Sequence, residues 1–224
     1  MRLRELNMFF VDIHTHNVPA ADYIVAVVDG LPVCEMKAGC YSCVGLHPWK
    51  IGKDWAAGKE VMRNVVCNTN VQMVGECGID RVVLKGKSDA GKLLDCQIEA
   101  FRWQAEIAEE LRKPMILHCV KGVDEILKVR SELKPLQKWI LHGFRGGEVQ
   151  ASQLMGKGIE LSFGLHHDTE AVRMAFSEGK LWIETDDSGC DVRDIYGKIA
   201  EELGVSVNLL AEEVRSRFFQ LLGL

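Results

Sequence analysis

The chain has 224 residues, 47% of them hydrophobic and 26% charged, and a formal net charge of -5. Those values fit one globular domain, residues 1–224, with a real core, and argue against a duplex-binding protein, which carries a basic stripe. No apolar run nears the ~20 residues needed to cross a bilayer and no leader-type apolar region follows the charged start, so a cytoplasmic protein without membrane contact is expected.

Taken in chain order, short apolar runs alternate with helical patterns from the third run onward, as in a parallel sheet. The expected strands are residues 8–13, 23–28, 41–46, 71–76, 115–118, 139–142, 159–163 and 181–185. Most are apolar throughout rather than alternating, which suits strands buried on both faces. Only residues 14–22 join the first two strands, fewer than the dozen or so of a parallel crossover, so the first helix is expected to be missing or reduced to a turn. Helices are expected over 55–67, 91–112, 123–133, 148–157, 169–177, 192–203 and 207–222. In the second of these, Leu94, Ile98, Phe101, Ala105 and Ala108 repeat at threes and fours and form an inward stripe, and Pro114 stops the helix from continuing. The fold class this predicts is α/β: a TIM-type (β/α)8 barrel with shortened first connections.

Cys34, Cys40 and Cys43 make the one cysteine cluster. The Cys-x-x-Cys formed by Cys40 and Cys43 has no matching second pair, so these thiols are read as packing beside a strand.

The chemistry-bearing residues fall at strand ends. His14 and His16 close the first strand two apart, which aims both rings to one face. Glu76 ends the fourth strand, His118 the fifth and His142 the sixth, and Asp186 follows the eighth. In a closed barrel these ends converge on one mouth. Six N and O donors there suffice for two divalent cations of the Zn, Mn or Mg type, and a carboxylate can bridge such a pair. His166 and His167, after the seventh strand, have no partner pattern and are read as loop or rim residues.

Seven segments in order resemble the TatD-type metal-dependent deoxyribonucleases. They are Asp12-Ile13-His14-Thr15-His16, Gly45-Leu46-His47-Pro48, Gly75-Glu76-Cys77-Gly78-Ile79-Asp80, Gln97 to Gln104 around Phe101, Pro114 to His118, His142-Gly143-Phe144 and Glu184-Thr185-Asp186. The resemblance implies a two-metal hydrolase of phosphodiester bonds. One ion would take His14, His16 and Asp186, the other His118 and His142, with Glu76 bridging; Glu76 and Asp186 would be catalytic, Asp186 orienting the attacking water and taking its proton. His47, Lys121 and Arg145 could meet a phosphate, or cap a strand end and lie in solvent. Trp49 could stack on a base or pack on the barrel rim, and Glu184 would support Asp186 or a histidine.

The chain departs from the family pattern at Val120, where an Arg is usual, at Asp187-Ser188-Gly189-Cys190, where a Pro usually follows, and near Val214. The acidic balance suits end-wise attack on a short single DNA strand, or a small phosphorylated substrate. Two other readings share the ligands. One is an amidohydrolase acting on a small amide or ester. The other is a metal-binding protein without turnover, which Val120 and Ser188 to Cys190 motivate.

Overall fold

A computed structural model of the chain describes residues 9–19, 24–30 and 39–223. All eight expected strands and all seven expected helices are found among them. The strands are β1 (Phe10–Thr15), β2 (Ile24–Asp29), β3 (Cys40–Val44), β4 (Val71–Asp80), β5 (Met115–Val120), β6 (Trp139–Leu141), β7 (Ile159–Phe163) and β8 (Leu181–Ile183). The helices are α1 (Lys59–Val66), α2 (Ala90–Glu110), α3 (Val123–Leu133), α4 (Glu148–Gly156), α5 (Thr169–Ser177), α6 (Val192–Leu203) and α7 (Val207–Leu222). The strands form one sheet in the order β1-β2-β3-β4-β5-β6-β7-β8. The described pairings are parallel, and a bridge joins Thr15 to Asp186, just past β8. This is the strand order of a (β/α)8 barrel. Residues 16–19 of the first connection contain no helix; residues 20–23 and Cys34 lie outside the described residues.

The chain divides into two compact units, residues 1–42 with 142–224, and residues 43–141. In the first, Val11, Ile13, Phe163, Trp182, Tyr196 and Phe218 are fully buried. A buried Tyr must place its hydroxyl, and the Tyr196 hydroxyl donates to Val11 O at 3.0 Å, which pins α6 to β1. Helix α6 starts on Asp191, whose side chain caps Arg193 N, and ends at Gly204 with φ +69°. That left-handed closing residue is where glycine costs least.

In the second unit α2 lies on β4, with Phe101, Ala105 and Ala108 of the expected stripe buried. Two buried glutamines share that face. The Gln97 amide accepts from Asp80 N (3.0 Å) and donates to the carbonyls of Pro48 and Asp80 (3.2 Å each). Gln104 accepts from Leu46 N at 2.7 Å and donates to the Leu46 and Ala100 carbonyls. Each thus satisfies backbone groups at and beyond the ends of β3 and β4. The Gln-x-x-x-Phe-x-x-Gln pattern is therefore a clamp on the segments around His47 and Asp80.

Two strands carry an extra residue, and each time a candidate ligand sits there. Along β4 and β5 the register runs from Val74 opposite Met115 to Cys77 opposite Leu117, three steps against two. Along β1 and β2 it runs from Asp12 opposite Ala26 to Thr15 opposite Val28, again three against two. Such bulges re-aim side chains and recur beside active sites. They explain why Glu76 and His14 lie within strands here rather than at their ends; β4 continues to Asp80, four residues past its expected stop.

The glycines of Gly75-Glu76-Cys77-Gly78 are required by a close approach of β5. A side-chain carbon at Gly78, where φ is +144°, would fall 2.0 Å from the His118 carbonyl oxygen. We expect Gly78→Ala to destabilise the fold by about 2 kcal/mol through forced backbone displacement, read as a lowered urea midpoint. An unchanged midpoint would show that β4 and β5 can part without cost.

Candidate active site

In the first unit, His14 is fully buried on β1, and His16, just beyond it, has a 41% exposed side chain. Their Nε2 atoms lie 3.6 and 3.5 Å from the same oxygen, Oδ1 of Asp186. Asp186 has φ +54°, a conformation that Asp tolerates better than most residues. Its amide donates to His14 O at 3.0 Å, and His16 N donates to Asp186 O at 3.1 Å, so the ligand segments are laced together through the backbone. Asp12 reinforces this joint by accepting from Thr185 N (3.0 Å) and Thr185 Oγ1 (2.6 Å). Burial pushes the Asp12 carboxyl up to about 7, against the pull of those Thr185 bonds.

The His142 ring lies beside that of His14, tilted, with centroids 4.4 Å apart, and its Nδ1 lies 3.8 Å from Oε1 of Glu184. The same Glu184 oxygen accepts from Gly143 N at 2.5 Å. Two donor sets arise in this unit, each with ligand atoms within 4.8 Å of one another: His14 with His16 and Asp186, and His142 with Glu184 and Asp186. Asp186 belongs to both. A cavity of about 280 Å3 opens beside them, lined by Arg145, His166, Glu184, Asp186 and Ser188. His166 is exposed in the loop. His167 lies in the same loop, but its ring is buried, with Nδ1 at 2.7 Å from Gly164 O and Nε2 at 3.0 Å from Glu202.

In the second unit a third set joins His47, Glu76 and His118, again within 4.8 Å. Oε1 of Glu76 lies 2.6 Å from Nδ1 of His118 and 3.1 Å from Nε2 of His47. His47 does cap a local turn, since its Nδ1 accepts from Trp49 N at 3.1 Å, yet its other nitrogen remains directed at Glu76. Trp49 donates its indole N–H to Oδ2 of Asp80 at 2.6 Å while its ring stays 64% exposed. The same Asp80 oxygen lies 3.3 Å from Nε2 of His118. Burial would raise the Asp80 carboxyl, but bonds from Trp49, the Val83 and Val82 amides and His118 hold it below its usual range. Lys121, three residues past His118, is exposed.

Imidazole and carboxylate sets of this kind are what borderline and hard divalent ions prefer, and the six expected ligands fall into these sets within their own units. Two neighbours were not foreseen. Asp80 ends the Gly75 to Asp80 segment, and Asp29, which ends β2, lies 3.8 Å from His16 Nδ1. The rule that points to the other candidate residues, a polar residue at a strand end, points to Asp29 when applied to the second strand.

Residues 31–223 match the family model described as TatD related DNase. The 3'-5' ssDNA/RNA exonuclease TatD of Erwinia amylovora is 26% identical over 123 residues, 54% of this chain and 45% of that protein. The metal-dependent hydrolase TatD of Mycobacterium tuberculosis is 31% identical over 147 residues, 62% of this chain and 55% of that protein. The chain thus spans about half the length of the curated relatives it matches. A TatD homologue from Escherichia coli K12 superposes with a TM-score of 0.77 at 17% identity, covering 96% of this chain and 98% of that one. A TatD family hydrolase from Entamoeba histolytica superposes with a TM-score of 0.71 at 12% identity, over 96% and 98%. At such identities the likeness is one of fold, the (β/α)8 barrel.

Proposed function

The chain belongs to the TatD related DNase family, and we propose that it is a metal-dependent hydrolase that cuts phosphodiester bonds end-wise in short single-stranded nucleic acid. The observation that carries this reading is the grouping of histidine and carboxylate donor atoms, within 4.8 Å of one another, in each of the two units. The proposed ligands are His14, His16, His142 and Asp186 from one unit and Glu76 and His118 from the other, holding two divalent ions of the Zn, Mn or Mg type. Such ions polarise a phosphoryl oxygen and lower the pKa of water.

The remaining roles belong to the chain. Asp186 is the carboxylate placed to orient water and accept its proton, because one oxygen faces both His14 and His16 while the backbone on either side is hydrogen bonded. Glu184 holds the Gly143 turn that follows His142. Arg145 and His47 are the proposed contacts of the phosphate being cut, and Lys121 of a phosphate further along the strand. The exposed Trp49 ring offers a face for a base, a stacking interaction of about 1–3 kcal/mol.

The test is to incubate the protein with end-labelled single-stranded oligonucleotide and Mn2+ or Mg2+, beside an elemental analysis of the purified protein. Stepwise shortening from one end, absent with chelator and in Asp186→Asn, is expected. Intact oligonucleotide under every metal overturns the nuclease reading.

A further inference from the structure

Past the ends of β4 and β5 lies a cavity of about 340 Å3 that the proposed chemistry does not use, lined by Arg81, Lys85, Lys121, Gly86, Ala90 and Gly91 among others. No acidic side chain lines it, although the chain as a whole carries a net charge of -5. The neighbouring cavity of the same unit, between α2 and α3, mixes Arg102 and Lys128 with Asp124, Glu125 and Glu132. Cations converging on one concavity raise the local concentration of anions, here chiefly Lys85 and Lys121, since the Arg81 charge is offset by Glu125. Arg81 is fixed by Glu125 at 2.7 Å, while Lys85 and Lys121 are exposed and make no ion pair among the described residues.

The backbone adds to this field. Gly91 and Ala90 are the start of the 21-residue helix α2, whose N-cap residue Asp89 makes no side-chain cap hydrogen bond. Ala90 N donates to Lys87 O and Leu93 N to Asp89 O, which leaves the Gly91 and Lys92 amides for an outside acceptor at the positive end of the helix. Side-chain carbons placed at Gly86 or Gly91 would meet nothing within 4 Å, so an anion has room to approach. Lys121 leaves β5 with φ +56°, a strained conformation for a residue with a long side chain. Arg81 N donates to Val120 O at 3.0 Å, which sets Arg81 and Lys121 side by side.

We propose that this cavity is a second phosphate subsite, which holds the backbone of a single-stranded nucleic acid at a phosphate beyond the one being cut. The proposal rests on the nuclease reading for the identity of the strand. None of the proposed metal ligands lines this cavity, so it is separate from the place of cleavage.

The test is binding, which is separable from turnover. The affinity of a fluorescent single-stranded octanucleotide is measured by anisotropy over a range of salt, in chelator, for wild type, Lys85→Glu/Lys121→Glu and Lys128→Glu, with thermal melts to verify folding. Each phosphate contact on a single strand contributes about 0.7 to the slope of log K against log salt. The double variant is expected to weaken octanucleotide binding at least about tenfold and to lower the slope by about 1.4, with a dinucleotide, which has one phosphate link, bound as by wild type. Lys128→Glu, which makes the same kind of charge change in the mixed cavity, is expected to keep the wild-type slope. Equal losses in both variants, equal losses for dinucleotide and octanucleotide, or no octanucleotide binding by wild type would each overturn the subsite. Failure of the nuclease reading shows separately, as an oligonucleotide that binds and is never shortened.

Discussion

Glu76→Gln is expected to lower metal-dependent hydrolysis by more than about a hundredfold, beyond the tenfold-to-hundredfold loss typical of an outer-shell partner. The substitution keeps the shape of a side chain that is almost fully buried at the β4 bulge. It removes only the charge. One oxygen of Glu76 faces both His118 Nδ1, at 2.6 Å, and His47 Nε2, at 3.1 Å. An amide oxygen can still accept from one imidazole, so the fold is expected to survive. It cannot supply the negative charge that offsets a dication, and a neutral amide is a poorer ligand for hard or borderline ions. The measurement is kcat/KM on a phosphodiester with Mn2+, paired with metal content after dialysis. Activity within threefold of wild type, with metal retained, would remove Glu76 from the ligand set and leave it a structural acceptor for two histidines.

The sheet and most of the candidate ligands are legible in the sequence for a physical reason. Parallel strands covered on both faces read as continuous apolar runs, and a polar residue that interrupts the end of such a run, as His118 and His142 do, stands out. Less legible was what happens inside a strand. Nothing in the apolar pattern of residues 71–76 announces that β4 runs on through Glu76 to Asp80, because the extension rests on glycines that admit β5 at close range. Those glycines are explained only once the partner strand is in place. Gln97 and Gln104 illustrate the same limit. They stand on the buried face of α2 where helical periodicity calls for apolar residues, and their justification is the row of backbone groups opposite them. His167 lies in a loop as expected, but its buried pairing was not legible because its partner, Glu202, is distant in the chain and lies on α6. Long-range polar pairing leaves no periodic trace.

Asp80→Asn is the second large effect, expected at about tenfold to a hundredfold in metal affinity with a parallel loss of turnover. His118 has Glu76 at Nδ1 and Asp80 at Nε2. Each carboxylate favours a proton on the nitrogen it faces, and Asp80 favours the one on Nε2; an ion held at Glu76 would then take the Nδ1 lone pair in place of the other proton. Asp80 performs this because all its other contacts are donors: Trp49 Nε1 at Oδ2 (2.6 Å), and the Val82 and Val83 amides at Oδ1 (2.8 and 3.2 Å). An asparagine has one acceptor and one donor end. With its oxygen toward Trp49 and His118, its NH2 meets the two backbone amides; turned over, its NH2 meets the indole N–H and His118. Either orientation leaves a donor facing donors, at a cost of about 1–3 kcal/mol in stability. A stability loss alone would fit a merely structural carboxylate, so the deciding readout is the tautomer of His118, followed by 15N NMR in the metal-free protein. In wild type, where each ring nitrogen faces a carboxylate, Nε2 is expected to carry a proton, and in Asp80→Asn the proton is expected to move to Nδ1, toward Glu76. Unchanged His118 resonances together with wild-type metal affinity would mean that Glu76 and His47 orient the ring unaided, and that Asp80 serves only the turn carrying Val82 and Val83.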